Sequence, residues 1–388
     1  MTLHSLSKNL IKRVLCRRCG TSRVIPFTTE WTSDGLITHQ ILGFVPPPSI
    51  IIETEEYRYI FASLAEALGF NIDRIIKEAE RKAIKVWAWG MLKTYPQVVR
   101  KSWAGSRLLI EAYMFMLCLA GLGDQEACRV VPGSHVIFYG KNLFHLVSAE
   151  GDRQGYCELL YGGRYSAEGM DLENERSVIA CFASEQPAEL EERLEPPTRE
   201  IIRGAVEFER CVACGVPLQL AELRWDWDDG IVINTRTGLR EMMVPRWTIA
   251  ALYNEFVKEL GDEIPRLFIE AERSYTTKRL DEFGLRLARS GESSDKQEAY
   301  EKIRILLSDF PFRGLGEPVD LSLEGGTLRL RVNNPFNEAL ICGKVLGYYE
   351  SLVGRKGEIE WEVLPDEWAL EINVTPALAR GRRPHGPR

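Results

Sequence analysis

Gly151-Asp152-Arg153-Gln154-Gly155-Tyr156-Cys157-Glu158-Leu159-Leu160-Tyr161-Gly162 is written a second time, 192 residues later, as Gly343-Lys344-Val345-Leu346-Gly347-Tyr348-Tyr349-Glu350-Ser351-Leu352-Val353-Gly354. The shared pattern is G-x-x-x-G-Y-x-E-x-L-x-G. Working outward, Glu78-Ala79-Glu80-Arg81 returns as Glu270-Ala271-Glu272-Arg273 and Leu68-Gly69 as Leu260-Gly261, both again 192 apart. Gly121-Leu122-Gly123 returns as Gly314-Leu315-Gly316 at 193. Cys16-Arg17-Arg18-Cys19-Gly20 returns as Cys211-Val212-Ala213-Cys214-Gly215, and Asp34-Gly35 as Asp229-Gly230, both at 195. An offset that drifts by three residues while the order holds marks two copies of one module, not an array of short repeats.

The rest of the chain agrees with two globular units. Its 388 residues are 45% hydrophobic, enough to bury two cores. A net charge of −7 argues against a nucleic-acid-coating role. Nine cysteines, an odd number at low density, suit a reducing cytoplasm better than a disulfide scaffold. Residues 1–15 lack the apolar run of a signal peptide and read as a short amphipathic segment. The most apolar stretch, 108–123, is too short to span a bilayer and contains Glu111, so it reads as a buried helix. The expected organisation is a first repeat over 1–185, a Pro- and Glu-rich linker over 186–200 with one helical turn near 188–194, a second repeat over 201–376, and a disordered basic tail over 377–388.

Within the second repeat the periods are legible. Residues 223–233 read as two short strands around the Asp229-Gly230 turn. Ile249, Leu252, Phe256 and Leu260 recur at helical spacing, and further helices are expected over 264–271 and 294–310. Leu328, Leu330 and Val332 then alternate with Arg329 and Arg331, as do apolar residues in 359–363 and 368–374, on either side of a Pro365-Asp366 turn. Such alternation predicts antiparallel strands with one wet face. The fold class is therefore α+β: two homologous repeats, each a CxxC hairpin followed by helices packed on an antiparallel sheet.

This order of elements resembles the 4-vinyl-reductase-type, or hydrocarbon-binding, small-molecule-binding domain. The residues that carry the likeness are the two E-A-E-R stretches, the two G-L-G turns, the two G-x-x-x-G-Y-x-E-x-L-x-G helices and the 359–374 hairpin, over about 55–183 and 247–375. Many members of that family bind zinc through cysteines around the closing hairpin. Here 358–374 contains none and the first copy only Cys181. The resemblance implies an α+β fold with a pocket for an apolar or aromatic ligand between helices and sheet. Trp87, Phe138 and Phe144 in the first copy, and Phe256, Phe268, Phe336, Trp361 and Trp368 in the second, are the candidate lining. The same aromatics could equally fill the core. The more apolar strand 136–139 predicts that a retained cavity is larger in the first copy.

The CxxC pairs are the strongest metal signal. A structural zinc takes four ligands, and each pair offers two. His39 could help in the first copy, but its counterpart is Asn234, so a site repeated in each copy fails. Pooling Cys16, Cys19, Cys211 and Cys214 across a pseudo-two-fold axis gives a full four-thiolate shell for one structural zinc. A ribbon that has lost its second pair, or a redox pair, are the competing readings.

Other repeated features read more plainly. Gly151, Gly155, Gly343 and Gly347 suit close packing of a helix on the sheet. Glu158 and Glu350 have no recurring polar neighbour in sequence and read as solvated or capping. Trp87 and Trp89 face Arg279 and Asp281 in the second copy, which reads most simply as a surface change. Cys118, Cys128, Cys157 and Cys342 sit among apolar residues and read as core. His135 and His145 have Thr327 and Asn337 as counterparts, which speaks against duplicated histidine catalysis. No Ser-His-Asp pattern, phosphate loop, dinucleotide fingerprint or HExxH occurs.

The expected function is a non-catalytic, cytoplasmic protein that binds an apolar small molecule as sensor, carrier or enzyme accessory, with a structural zinc and no membrane span. A protein partner or homodimer is left open. The alternatives are a reductase or reductase accessory in tetrapyrrole or aromatic metabolism, and a purely structural zinc-stapled scaffold. An apolar cavity of roughly 300 Å³ or more is the feature that separates a binding protein from that scaffold.

Overall fold

A computed structural model of the chain describes residues 14–40, 47–185, 200–285, 293–364 and 367–377. The amphipathic segment up to residue 13, the linker 186–199, the Pro365-Asp366 turn and the tail 378–388 lie outside the described residues.

The first half runs α1 (Ile25–Thr28), β1 (Thr29–Trp31), β2 (Ile37–His39), β3 (Ser49–Glu53), α2 (Thr54–Leu68), α3 (Asp73–Leu92), α4 (Gln97–Lys101), α5 (Trp103–Leu119), β4 (Asp124–Val131), β5 (His135–Lys141), α6 (Leu146–Tyr161), β6 (Arg164–Leu172) and β7 (Arg176–Ser184). The second runs β8 (Leu223–Asp226), β9 (Ile231–Asn234), β10 (Arg240–Pro245), α7 (Arg246–Leu260), α8 (Ile264–Glu282), α9 (Ser293–Leu307), α10 (Phe310–Arg313), β11 (Glu317–Glu324), β12 (Thr327–Asn333), α11 (Glu338–Val353), β13 (Gly357–Leu364) and β14 (Ala369–Pro376). The fold is α+β, as expected, and no helix among the described residues is long and apolar enough to cross a membrane.

Each half carries a four-stranded antiparallel sheet, and the strand order is the same in both: β4-β5-β7-β6 and β11-β12-β14-β13. Both first strands break register at a bulge in the same place, between Ala127 and Arg129 and between Val319 and Ser322. Cys128 sits in the first of these bulges and is exposed, contrary to the core position expected of it, because the extra residue turns its side chain off the alternating face.

A third sheet joins the halves, in the order β1-β2-β3-β10-β9-β8. Its central seam pairs β3 with β10 antiparallel, placing Ile51 opposite Met243, the residue 192 positions later. A pseudo-two-fold axis therefore passes through the seam. Across it the halves exchange elements. Helix α2 of the first half packs on α8 of the second, and α7 of the second on α3 of the first. The β-hairpins cross as well. Trp31 Nε1 donates to the Phe312 carbonyl at 2.8 Å, and Trp225 Nε1 donates to the Leu119 carbonyl at 2.9 Å. Gly230 of one Asp-Gly turn lies so close to Gly123 and Asp124 that a Cβ would come within 2.3 Å of their backbone.

The repeated glycines pack helix against helix, not helix against sheet as the sequence suggested. A Cβ on Gly151 or Gly155 would meet the carbonyl oxygens of Lys77 and Arg81 on α3, at 2.1 and 2.3 Å, and one on Gly343 would meet Ile269 O on α8 at 2.5 Å. This close crossing carries the repeated charges. Glu158 is buried and receives Arg81 Nη1 at 2.8 and 2.9 Å. Glu350 receives Arg273 Nη1 at 2.8 Å. The recurring polar partner of the glutamate is thus the arginine of the E-A-E-R stretch, 77 residues upstream in both halves. Glu158 and Glu350 are not solvated caps.

Removing one partner of a buried ion pair leaves the other charge without compensation. Arg81→Met should cost about 3 kcal/mol, and adding Glu158→Leu should recover most of it. Urea unfolding midpoints of the single and double variants test this; equal losses in both would count against the pairing.

Candidate functional site

The exchange of hairpins brings the two CxxC knuckles together. The Cys16 and Cys211 sulfurs lie 3.9 Å apart, and those of Cys19 and Cys214 3.5 Å apart. All four sulfurs lie within 4.8 Å of one another, none is in a disulfide, and the group is close enough to bind a metal ion. Bonds near 2.3 Å in a tetrahedral zinc thiolate centre set neighbouring sulfurs about 3.8 Å apart, so the donor set and its spacing fit that ion.

The knuckles prepare the sulfurs. Gly20 and Gly215 both adopt positive φ, 75° and 77°, which turns the preceding amides back toward the thiols. Amides of Cys19 and Arg18 bring the Cys16 thiol down to about 6, and the amide of Ala213 lowers Cys211. Burial pushes Cys214 up to about 12. His39, weighed as a further ligand for the first pair, is engaged elsewhere: its Nε2 lies 2.8 Å from Ser49 Oγ and its Nδ1 3.2 Å from Thr29 Oγ1.

Two cavities flank the central sheet. The first, of about 160 Å³, lies between the sheet and helices α3, α5 and α6. Ile84, Trp87, Met116, Leu117, Ala120 and Leu122 form the helix side; Ile51, Met242 and Met243 line the seam; Leu223, Trp225 and Val232 come from the exchanged hairpin of the other half. Its polar atoms are few. Tyr113 donates to Asp152 at 2.7 Å, His39 lies between Ser49 and Thr29, and Thr28 and Glu241 are the other polar residues of the lining. Burial raises the Asp152 carboxyl, and burial holds His39 neutral, down to about 4. Ile51, Leu223, Trp225, Val232 and Met243 also belong to the hydrophobic cluster around the four cysteines, so one wall of the cavity is the packing of the knuckles themselves.

The second cavity, of about 550 Å³, occupies the matching place in the second half, between the seam and α8, α9, α10 and α11. The larger cavity is thus not in the first half, as the apolar strand there suggested. Counterparts differ in chemistry. Ile84, Trp87, Met116, Ala120 and Asp152 become Thr276, Arg279, Asp309, Arg313 and Lys344, which line the second. The mostly apolar lining of the first cavity is replaced by charged side chains that pair along the walls. The Trp87-to-Arg279 difference is therefore a change of cavity lining, not of surface.

Of the eight aromatics expected to line a pocket, only Trp87 lines either of these two cavities. Phe138, Phe144, Phe256, Phe268 and Phe336 are buried in the main core, and Trp361 packs against its edge. Trp368 lies under the Arg246 guanidinium, 4.5 Å from ring centroid to Cζ. These side chains point into the layer between each four-stranded sheet and its helices, whereas both cavities open at the shared sheet. Of that sheet, the strands in 223–233 were expected, and the central pair β3 and β10 was not. The missed lining residues Met242 and Met243 sit in the paired β10, and a signal existed: the two stretches around Ile51 and Met243 fall at the repeat offset.

No protein-family model matches the chain, and no curated protein matches it in sequence. Among solved structures, the phenol-responsive sensory domain of the transcription activator PoxR, crystallised with phenol, is similar at a TM-score of 0.30 and 17% identity, over 41% of this chain and 86% of that one. A likeness of that size carries no argument about what this chain does.

The neutral, buried His39 makes a pH prediction. The ring titrates near 4 in the fold and near 6.5 when free, so the unfolded chain holds the extra proton between those values. Its contribution is complete above pH 6.5 and lost as pH falls through about 4, a total of about 3 kcal/mol. His39→Gln should lack this part of the acid destabilisation. Denaturant titrations of both proteins between pH 4 and 7 measure it, and parallel pH profiles would refute it.

Proposed function

We propose that the chain is a non-catalytic binding protein for a small apolar molecule, built from two hydrocarbon-binding-type repeats over 1–185 and 201–376 and stapled by one structural zinc on Cys16, Cys19, Cys211 and Cys214. The observation that carries the reading is the first cavity. Its surface is mostly apolar, and its volume of about 160 Å³ is close to the roughly 150 Å³ engineered apolar void that binds benzene. That is below the roughly 300 Å³ set above as the mark of a binding protein against a scaffold, so the reading holds only for a ligand of about one ring. Trp87, Met116 and Trp225 supply the contact surface. Asp152 with Tyr113, and His39 with Ser49, supply polar atoms that orient a ligand carrying one hydroxyl or amine.

The donor set supports the zinc: four thiols within 4.8 Å of one another, two of them lowered by backbone amides. Bound there, zinc would supply no chemistry, since four protein ligands leave no open position. It would lock the crossing of the two hairpins. The order of the motifs and the strand order shared by both halves support the family assignment.

Elemental analysis of purified protein should give one zinc per chain. A chelator, or Cys16→Ser, should lower the melting temperature of the whole molecule in a single transition, because the shell draws on both halves. Absence of metal, or full zinc content in Cys16→Ser, would reject the shared shell.

Native mass spectrometry of the intact chain should show a copurifying small molecule, and a single-ring apolar compound such as toluene should raise the melting temperature of the ligand-free protein. Ala120→Phe, which fills the cavity, should abolish that rise. A shift that survives Ala120→Phe would place the ligand elsewhere. The intact chain is required: β3 and β10 share a ladder, so neither half carries a complete wall.

A further inference from the structure

The second cavity has no counterpart in that reading. Its charged groups do not balance. Arg279 is 3.3 Å from Glu53, Lys344 sits 3.0 Å from Glu56 and 2.7 Å from Glu272, and Arg313 reaches Glu241 at 2.7 Å and Asp309 at 2.5 Å. With Arg236 at 3.6 Å from Glu222, four cations stand around the cavity against six carboxyl groups: Glu53, Glu56, Glu222 and Asp309 in its lining, and Glu241 and Glu272 behind it. Glu272 is fully buried directly behind Lys344 and Thr276, and its Oε2 has no hydrogen-bond partner. Burial and the neighbouring carboxylates raise both Glu53 and Glu272, the latter to about 8. Protonation relieves such an excess of negative charge; so does a bound cation.

The space for one is present. The ion pairs line the walls and leave about 550 Å³ unfilled. Between the charges the surface is apolar: Ile52, Leu280, Phe283, Leu306 and Phe310. An inorganic cation would bring no apolar surface to cover these residues. A cation on a hydrocarbon body satisfies both features.

We propose that the second cavity is a binding site for an organic ammonium ion with an apolar body, an alkyl- or arylalkylamine, whose charge sits beside Glu53 and Glu56 and whose hydrocarbon covers Leu280 and Phe310. The chain is then a two-ligand protein: one scaffold, two matching cavities and two ligand chemistries. Strand β3 contributes Ile51 to the lining of both cavities, so the two sites adjoin at the shared sheet.

Isothermal titration calorimetry on the intact chain tests this with 2-phenylethylamine, its neutral isostere 2-phenylethanol and the anionic 3-phenylpropanoate. The amine should bind, and the other two should bind at least about tenfold more weakly. Glu53→Gln should weaken amine binding about tenfold without loss of fold, and Leu280→Trp, which fills the cavity without touching a charge, should abolish it. Ala120→Phe, which closes the first cavity, should leave amine binding unchanged. Equal binding of the alcohol, no binding of the amine, or loss of amine binding in Ala120→Phe would each overturn the proposal. The last result, together with unchanged binding in Leu280→Trp, would assign the amine to the first cavity instead.

Discussion

The pairing of β3 with β10 is the constraint on which the rest of the molecule depends. Placing Ile51 against Met243 fixes a pseudo-two-fold axis in the middle of a six-stranded sheet. Given that axis, each hairpin must reach over the other half, and the two CxxC turns are carried to one place. The four sulfurs meet because two strands pair, not because the knuckles are near in sequence. Strand β3 lines both cavities and packs on the cysteines, so the four-cysteine cluster, the first cavity and the second cavity share one rigid element.

Pseudo-symmetry lets the two halves diverge without losing their fold. The residues that hold each helix pair together are kept: the paired glycines on α6 and α11, and the arginine–glutamate contact across each crossing. The capping positions His145 and Asn337 differ in type, yet each accepts from the backbone amide three residues on. Divergence is concentrated where side chains face empty space. A tryptophan becomes an arginine and an alanine becomes an arginine without disturbing a packed neighbour, so cavity chemistry changes at little structural cost.

What the sequence revealed follows the range of the interactions involved. The two matching halves, the strand alternation in 328–332 and 359–374, and the pooled cysteines were all legible, because each rests on a recurring pattern or on a count of ligands. Element exchange was not legible, because α2 has the same amphipathic face whether it packs on α3 or on α8. The Arg81–Glu158 and Arg273–Glu350 pairs were in view as two repeated motifs, but their partnership required the helix crossing to be known. The aromatics expected at a ligand proved to be core because a strand's alternation tells which face is buried, not whether the buried face meets a void.

The crossed hairpins and helices also bear on how the chain comes off the ribosome. When residue 185 has been made, β3 has no partner on its outer edge, α2 has lost the helix it rests on, and half the sulfur cluster is missing. Its completion must wait for at least the 60 residues up to Pro245, roughly 3–12 seconds at ordinary elongation rates. During that interval an apolar strand edge, Ser49-Ile50-Ile51-Ile52-Glu53, is open to any other nascent copy. A protein assembled this way trades early, independent folding of its first half for a junction that no later separation of the halves can undo without unfolding both.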